Sequence, residues 1–107
     1  MFNTGFIPQI GQFVIVTSGR DAGQYAIIVR LAEKFVYLAD GERIPFDRPK
    51  KKNPRHLQFI DHVSLEVQNS MKEIGRVTNG KLRFALTKFL NERISEKEKG
   101  DETHGQR

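Results

Sequence analysis

The chain has 107 residues, a net charge of +5, a hydrophobic share of 37% and no cysteine. Such a length suits one compact domain with a modest core, and the lack of cysteine excludes a disulfide framework or a thiolate metal site. The longest apolar runs, FVIV and YAIIV, are too short to cross a bilayer; MFNTGFIPQI lacks the basic and apolar regions of a signal peptide, so a cytoplasmic protein without membrane contact is expected.

Residues 1–10 read as an N-terminal extension. FVIVT and QYAIIVRL are rich in β-branched and aromatic residues and end at turn signals, as strands do. FVYLA follows a polar turn at Glu33 and Lys34, and Asp40-Gly41 marks a tight hairpin. RIPF reads as a short return strand, held to an edge because Pro45 has no N–H to give a ladder. HLQFI supplies a fifth strand. The expected fold is mainly β with a C-terminal helix, its strands forming a small, strongly bent barrel of about five strands over residues 11–61.

Within that span, Pro49 and Pro54 exclude helix and central strand between Asp47 and Arg55. Three lysines between them repel one another, so residues 47–56 should be an exposed, extended basic arm. A C-terminal extension follows over 62–97. VSLEV alternates as a strand does, NSMKEIGRV suits a short helical turn ended by Gly75, and both readings stand open. From about 79 to 97 a helix is expected, with Leu82, Leu86, Phe89 and Leu90 on one face and Asn79 or Thr78 as its cap. Residues 98–107 hold no apolar side chain and are expected to be a disordered tail.

The positive surplus is concentrated. Residues 1–46 carry four basic and four acidic side chains, whereas 47–56 net +4 and 79–90 net +3. Two short clusters of this kind are the electrostatic footprint of a polyanion partner. Lys50, Lys51 and Lys52 suit phosphates as point charges, while Arg48 and Arg55 can also stack or bridge. On the helix, Lys81, Arg83 and Lys88 are further expected phosphate contacts. Phe84 lies between Lys81 and Lys88; a half-buried ring under lysine stems is the favoured expectation, and stacking on an unpaired base the alternative.

GQFVIVTSGRDAGQYAIIV, residues 11–29, resembles a KOW motif: Gly11, alternating Val14 and Val16, then Gly19, Arg20 and Gly23 before the apolar Ile27 to Val29. The continuation FVYLADGERIPFDRPKKKNPRHLQF is similar to the segment after that motif in the fourteen-e type large-subunit ribosomal protein family of archaea and eukaryotes and its small bacterial relatives. The resemblance covers about half the chain, and NGKLRFALTKF is reminiscent of the bacterial relatives. It implies an SH3-like barrel that contacts ribosomal RNA, within the ribosome or a ribosome-related particle. It also implies that Ser18, Gly19, Arg20, Gly23 and Gln24 form an RNA-contacting loop. Bare glycine backbone lets a phosphate approach, turn N–H groups donate to it, and Arg20 grips it in bidentate fashion. Gln24 stands where Lys is frequent in such loops, which assigns more of the affinity to the arm. Asp21 is expected to orient Arg20 or cap the turn.

His56, His62 and His104 have no ligand spacing for a metal, and no P-loop, dinucleotide fingerprint or nucleophile motif is present. The expectation is a binding protein without enzymatic activity, cofactor or small-molecule substrate. A different reading is a protein–protein adaptor of the transcription-elongation type, its basic patches meeting RNA polymerase or another acidic surface. Non-specific DNA binding is a third.

Overall fold

The computed structural model describes the backbone of residues 7–105 and the side chains of residues 7–93. The first six residues of the expected N-terminal extension, and the side chains of the expected tail at 98–107, lie outside the described residues.

Five strands form one antiparallel sheet: β1 (Gln12–Val16), β2 (Tyr25–Leu31), β3 (Val36–Ala39), β4 (Lys50–Lys52) and β5 (Leu57–Val63), in the order β4-β3-β2-β1-β5. The outer strands β4 and β5 do not pair with each other, so the five strands expected to form a small, strongly bent barrel make a sheet that is not closed. Two helices follow, α1 (Leu65–Ile74) and α2 (Asn79–Gly105), α2 continuing past the expected end near residue 97.

The unbroken apolar run of β2 has a physical cause: both faces of the sheet are covered. Ile27 and Val29 face one way, into a core shared with Phe13, Val67, Leu82, Ala85, Leu86 and Phe89, where Phe13 and Phe89 stack at 4.2 Å. Ala26 and Ile28 face the other way, into a second core with Val14, Val16, Val36, Leu38 and Leu57. Thus α1 and α2 cover one face, while on the other the side chains of β1, β2, β3 and β5 pack against one another.

In the stretch left open after residue 62, Val63 ends β5 and the rest of VSLEV is not strand but the cap and first turn of α1, which continues through NSMKEI. Ser64 caps the helix by accepting the Val67 N–H at 3.2 Å, and Gly75 ends it. Thr78 caps α2, accepting the Lys81 N–H at 3.1 Å. The freed Asn79 side chain accepts the Phe46 N–H at 2.8 Å.

RIPF is not a strand. Asp40 accepts the N–H groups of Glu42 at 2.9 Å and Ile44 at 2.8 Å, and the Ile44 carbonyl accepts those of Asp40 and Gly41. These local bonds close residues 40–44 into a tight loop and compete with a ladder. The Asn79 bond then ties Phe46 to α2. Gly41 sits where this loop meets α2, with φ +83 and an absent side chain that would lie 3.0 Å from Leu82 Cβ. Only glycine fits there. The ladder position goes to Lys50–Lys52 instead, since Pro49 and Pro54 flank the three residues without interrupting them. The basic segment is therefore an edge strand rather than a free arm. Phe84 is also a correction: it lies on the outer side of α2, 57% exposed, and does not pack on the sheet.

Candidate nucleic-acid interface

The β1–β2 connection is held by its own backbone. Gly23 N–H donates to Val16 O at 2.7 Å, Gln24 N–H to Asp21 O at 3.0 Å, and Ala22 N–H to Gly19 O at 3.2 Å. Thr17 N–H donates to His56 O at 2.8 Å, which ties the base of this loop to the 3-10 turn Pro54–His56. Among the described residues, the N–H groups of Ser18, Gly19 and Arg20 donate to no protein acceptor. Gly19 and Arg20 are exposed and Ser18 is half-buried, so these donors line the rim of the loop where an anion could meet them.

The lysines of β4 divide between the two faces of the sheet because side chains alternate along a strand. Lys50 and Lys52 pair across from Leu38 and Val36 and so share the face of the second core. Lys51 pairs across from Tyr37, and its ammonium lies 4.6 Å from the centre of the Phe35 ring, with Arg30 over Tyr37 on the same side. On the Lys50 and Lys52 face, β4 runs directly beside the glycine loop. The Lys52 ammonium lies 3.4 Å from where a side chain on Gly19 would begin, and Gly19 itself has φ +90. A Cβ there would be strained by the positive φ and would sit in contact with the cation.

Asp21 fastens the two segments together. Its carboxylate is buried and holds Lys50 Nζ at 2.6 Å and Arg43 Nη2 at 3.0 Å. The Lys50 hydrogen bond is the largest cause that holds the Asp21 carboxyl below the ordinary carboxylate value; burial opposes it, and the charges of Lys50 and Arg43 assist. Asp21 thus pairs with β4 and the 40–44 loop, where orienting Arg20 or capping the turn was expected. One carboxylate against two cations leaves the cluster with a net positive charge.

Among the described residues, no family of three or more histidine and carboxylate side chains is placed to hold a metal ion, and no helix is long and apolar enough to cross a membrane. No family model matches the chain. A protein of Bacillus subtilis (strain 168), named "Putative ribosome-binding protein YbzG", is 46% identical over 71 residues, covering 65% of this chain and 96% of that protein. This chain belongs to the family of that Bacillus protein. About a third of the chain lies beyond the match.

Of the candidate residues, the structure gathers Ser18, Gly19, Arg20, Gly23 and Gln24 with Lys50 and Lys52, and brings Arg55 alongside through the Thr17–His56 bond. Arg48 is exposed in the turn before β4. Lys51 faces the other side of the sheet. Arg83 serves α2's own anchorage, donating to Gly41 O at 2.9 Å, and shares the lining of a shallow cleft with Gly23 and Gln24. Lys81 and Lys88 lie exposed on α2, outside the core stripe of Leu82, Ala85, Leu86 and Phe89. Arg43 is the participant that sequence reasoning missed. Its segment is charge-balanced, and nothing in its local pattern signals a partner at Asp21, 22 residues earlier.

Proposed function

We propose that this protein is a cytoplasmic, ribosome-associated RNA-binding module that grips phosphates at the junction of the glycine loop and β4. The name of the Bacillus relative supports ribosome association. The observation that carries the RNA contact is the Lys52 ammonium beside Gly19, next to three unengaged backbone donors. Cationic side chains and bare N–H groups converging on one rim suit a phosphate oxygen better than any uncharged ligand. The resemblance of residues 11–59 to a KOW module, with its SH3-like fold, points the same way. On this reading Arg20, Lys52 and Arg55 supply the free charge, Ser18 and Gly19 supply backbone donors, and Lys50 is shared with Asp21. Phosphate contacts of this type position the protein with little reading of base sequence.

About three phosphates neutralised on single-stranded RNA give a log–log salt slope near −2. The test is co-sedimentation with ribosomes and binding to ribosomal RNA by the combined Arg20→Gln, Lys52→Gln and Arg55→Gln variant. Binding should fall by at least about tenfold at moderate salt, and the slope should become shallower by about 2. Natural affinity in that variant sinks the proposal.

A further inference from the structure

α2 rests on the sheet through Leu82, Ala85, Leu86 and Phe89. At 3.6 residues per turn, Gly80, Lys81, Phe84, Thr87, Lys88 and Asn91 fall on the side turned away. Phe84 is 57% exposed and makes no ring or cation contact among the described residues. A single exposed aromatic is ordinary; its setting is less so. Lys81 at i−3 and Lys88 at i+4 lie along the helix on either side of the ring, on neighbouring turns. Both are exposed, and neither has an acidic partner within ion-pair distance, although Glu66 and Glu92 share the lining of a groove with Lys88. No carboxylate occurs between residues 79 and 91.

We propose that this face of α2 is a second RNA surface, taking an unpaired nucleobase on the Phe84 ring and the flanking phosphates on Lys81 and Lys88. A protein partner fits less well. A stable protein interface wants an apolar stripe and a wide buried patch, and here one ring stands among glycine, threonine, asparagine and lysine. One ring is enough for one base, because every base has a π-face. The surface lies on the opposite face of the sheet from Lys50 and Lys52, since α2 covers the Ile27 side and those lysines share the Ile28 side. The inference therefore goes beyond the loop site, and the two meet only at one edge of α2, where Arg83 and Thr87 line a cleft with Gly23 and Gln24. Two cationic surfaces back to back let one small protein tie two RNA segments together.

The probe is a short unstructured oligoadenylate carrying a central 2-aminopurine, titrated into the full chain and into the Arg20→Gln, Lys52→Gln, Arg55→Gln variant. Stacking on Phe84 should change the fluorescence in both. Adding Phe84→Leu should weaken binding by about 5- to 150-fold, the range of one lost base–aromatic stack, while Phe84→Trp keeps it. The exposed position predicts an unchanged melting curve for Phe84→Leu, which separates lost stacking from lost folding. Lys81→Gln with Lys88→Gln should make the salt slope shallower by about 1.4. Full oligoadenylate affinity in Phe84→Leu overturns the proposal. So does a Phe84→Leu variant that keeps the RNA but no longer co-sediments with ribosomes, because the ring would then serve a protein. Because the loop-neutral variant is one arm, failure of the loop site leaves this result readable.

Discussion

Replacing Asp21 by Asn should move stability and RNA affinity in opposite directions. The carboxylate is buried, but its partners are not: the Lys50 and Arg43 side chains are 44% and 50% exposed. Breaking a fully buried ion pair costs about 3–5 kcal/mol because a charge is stranded. Here both cations can turn to water, and the amide retains one acceptor, so the loss should be about 1–2 kcal/mol. For binding, the sign reverses. A phosphate about 7 Å from that carboxylate is repelled by about 0.6 kcal/mol in a water-like medium. Removing it should tighten RNA binding about 2- to 3-fold at low salt. The freed Lys50 should steepen the salt slope by about 0.7 if it takes up one more phosphate. Urea unfolding gives the first quantity, and fluorescence anisotropy across a salt series gives the others. Weaker RNA binding by Asp21→Asn would refute the reasoning, since Asp21 would then be presenting its cations to phosphate rather than competing with it. Unchanged stability would show that the carboxylate does not fasten the loop to β4.

The same group fixes an acid dependence. The folded-state pKa of Asp21 lies below its ordinary value of 3.8, so its stabilisation is complete above that value and is lost as pH falls through the lower, native one. Natural protein should lose urea resistance on that descent, and Asp21→Asn should lose less. Gly41→Ala should destabilise by about 2–4 kcal/mol, combining a positive φ with contact against α2. Gly23→Ala also has a positive φ but nothing within 4 Å, so it should cost only about 1–2 kcal/mol, and equal losses by thermal melting would contradict the packing account. Leu82→Ala, at a site with no exposure, should cost about 2–5 kcal/mol in urea unfolding with RNA affinity of the folded protein unchanged.

Much of the scaffold is legible locally. Val14, Val16 and the Ala26–Val29 run state strands because β-branched packing is a local property, and the Leu82/Leu86/Phe89 spacing states a helix. What is not legible depends on distant atoms. RIPF has strand composition, yet Asp40 and Asn79 claim its N–H groups. KKK has poor strand composition, yet Val36 and Leu38 offer it an edge. Phe84 shows the reverse limit. Its helical phase opposite the core stripe already places it outside, but aromatic character argues for burial, and the periodicity is the better guide. Of the interface, Arg20 and the lysines stand out by charge alone. Which lysine faces which way follows only from the register with β3, and Arg43 becomes visible only once Asp21 is seen to be buried.

β4 also bears on what kind of partner this face accepts. An edge strand offers unpaired backbone groups, and a small sheet can in principle take up a peptide strand there. Lysines on such an edge oppose that, because an incoming strand must pack beside like-directed ammonium groups and strip their water. Lys50, Lys51 and Lys52 place three such groups along the whole of β4, and Asp21 neutralises only part of the charge on one of its faces. An adaptor that docks by strand addition would need that edge uncharged or acid-paired. A polyanion needs it as it is, with the lysine stems lying along the sheet and the charges in water until phosphates replace that water. The charge that makes the edge a poor template for another strand is the same charge that suits it to a polyanion.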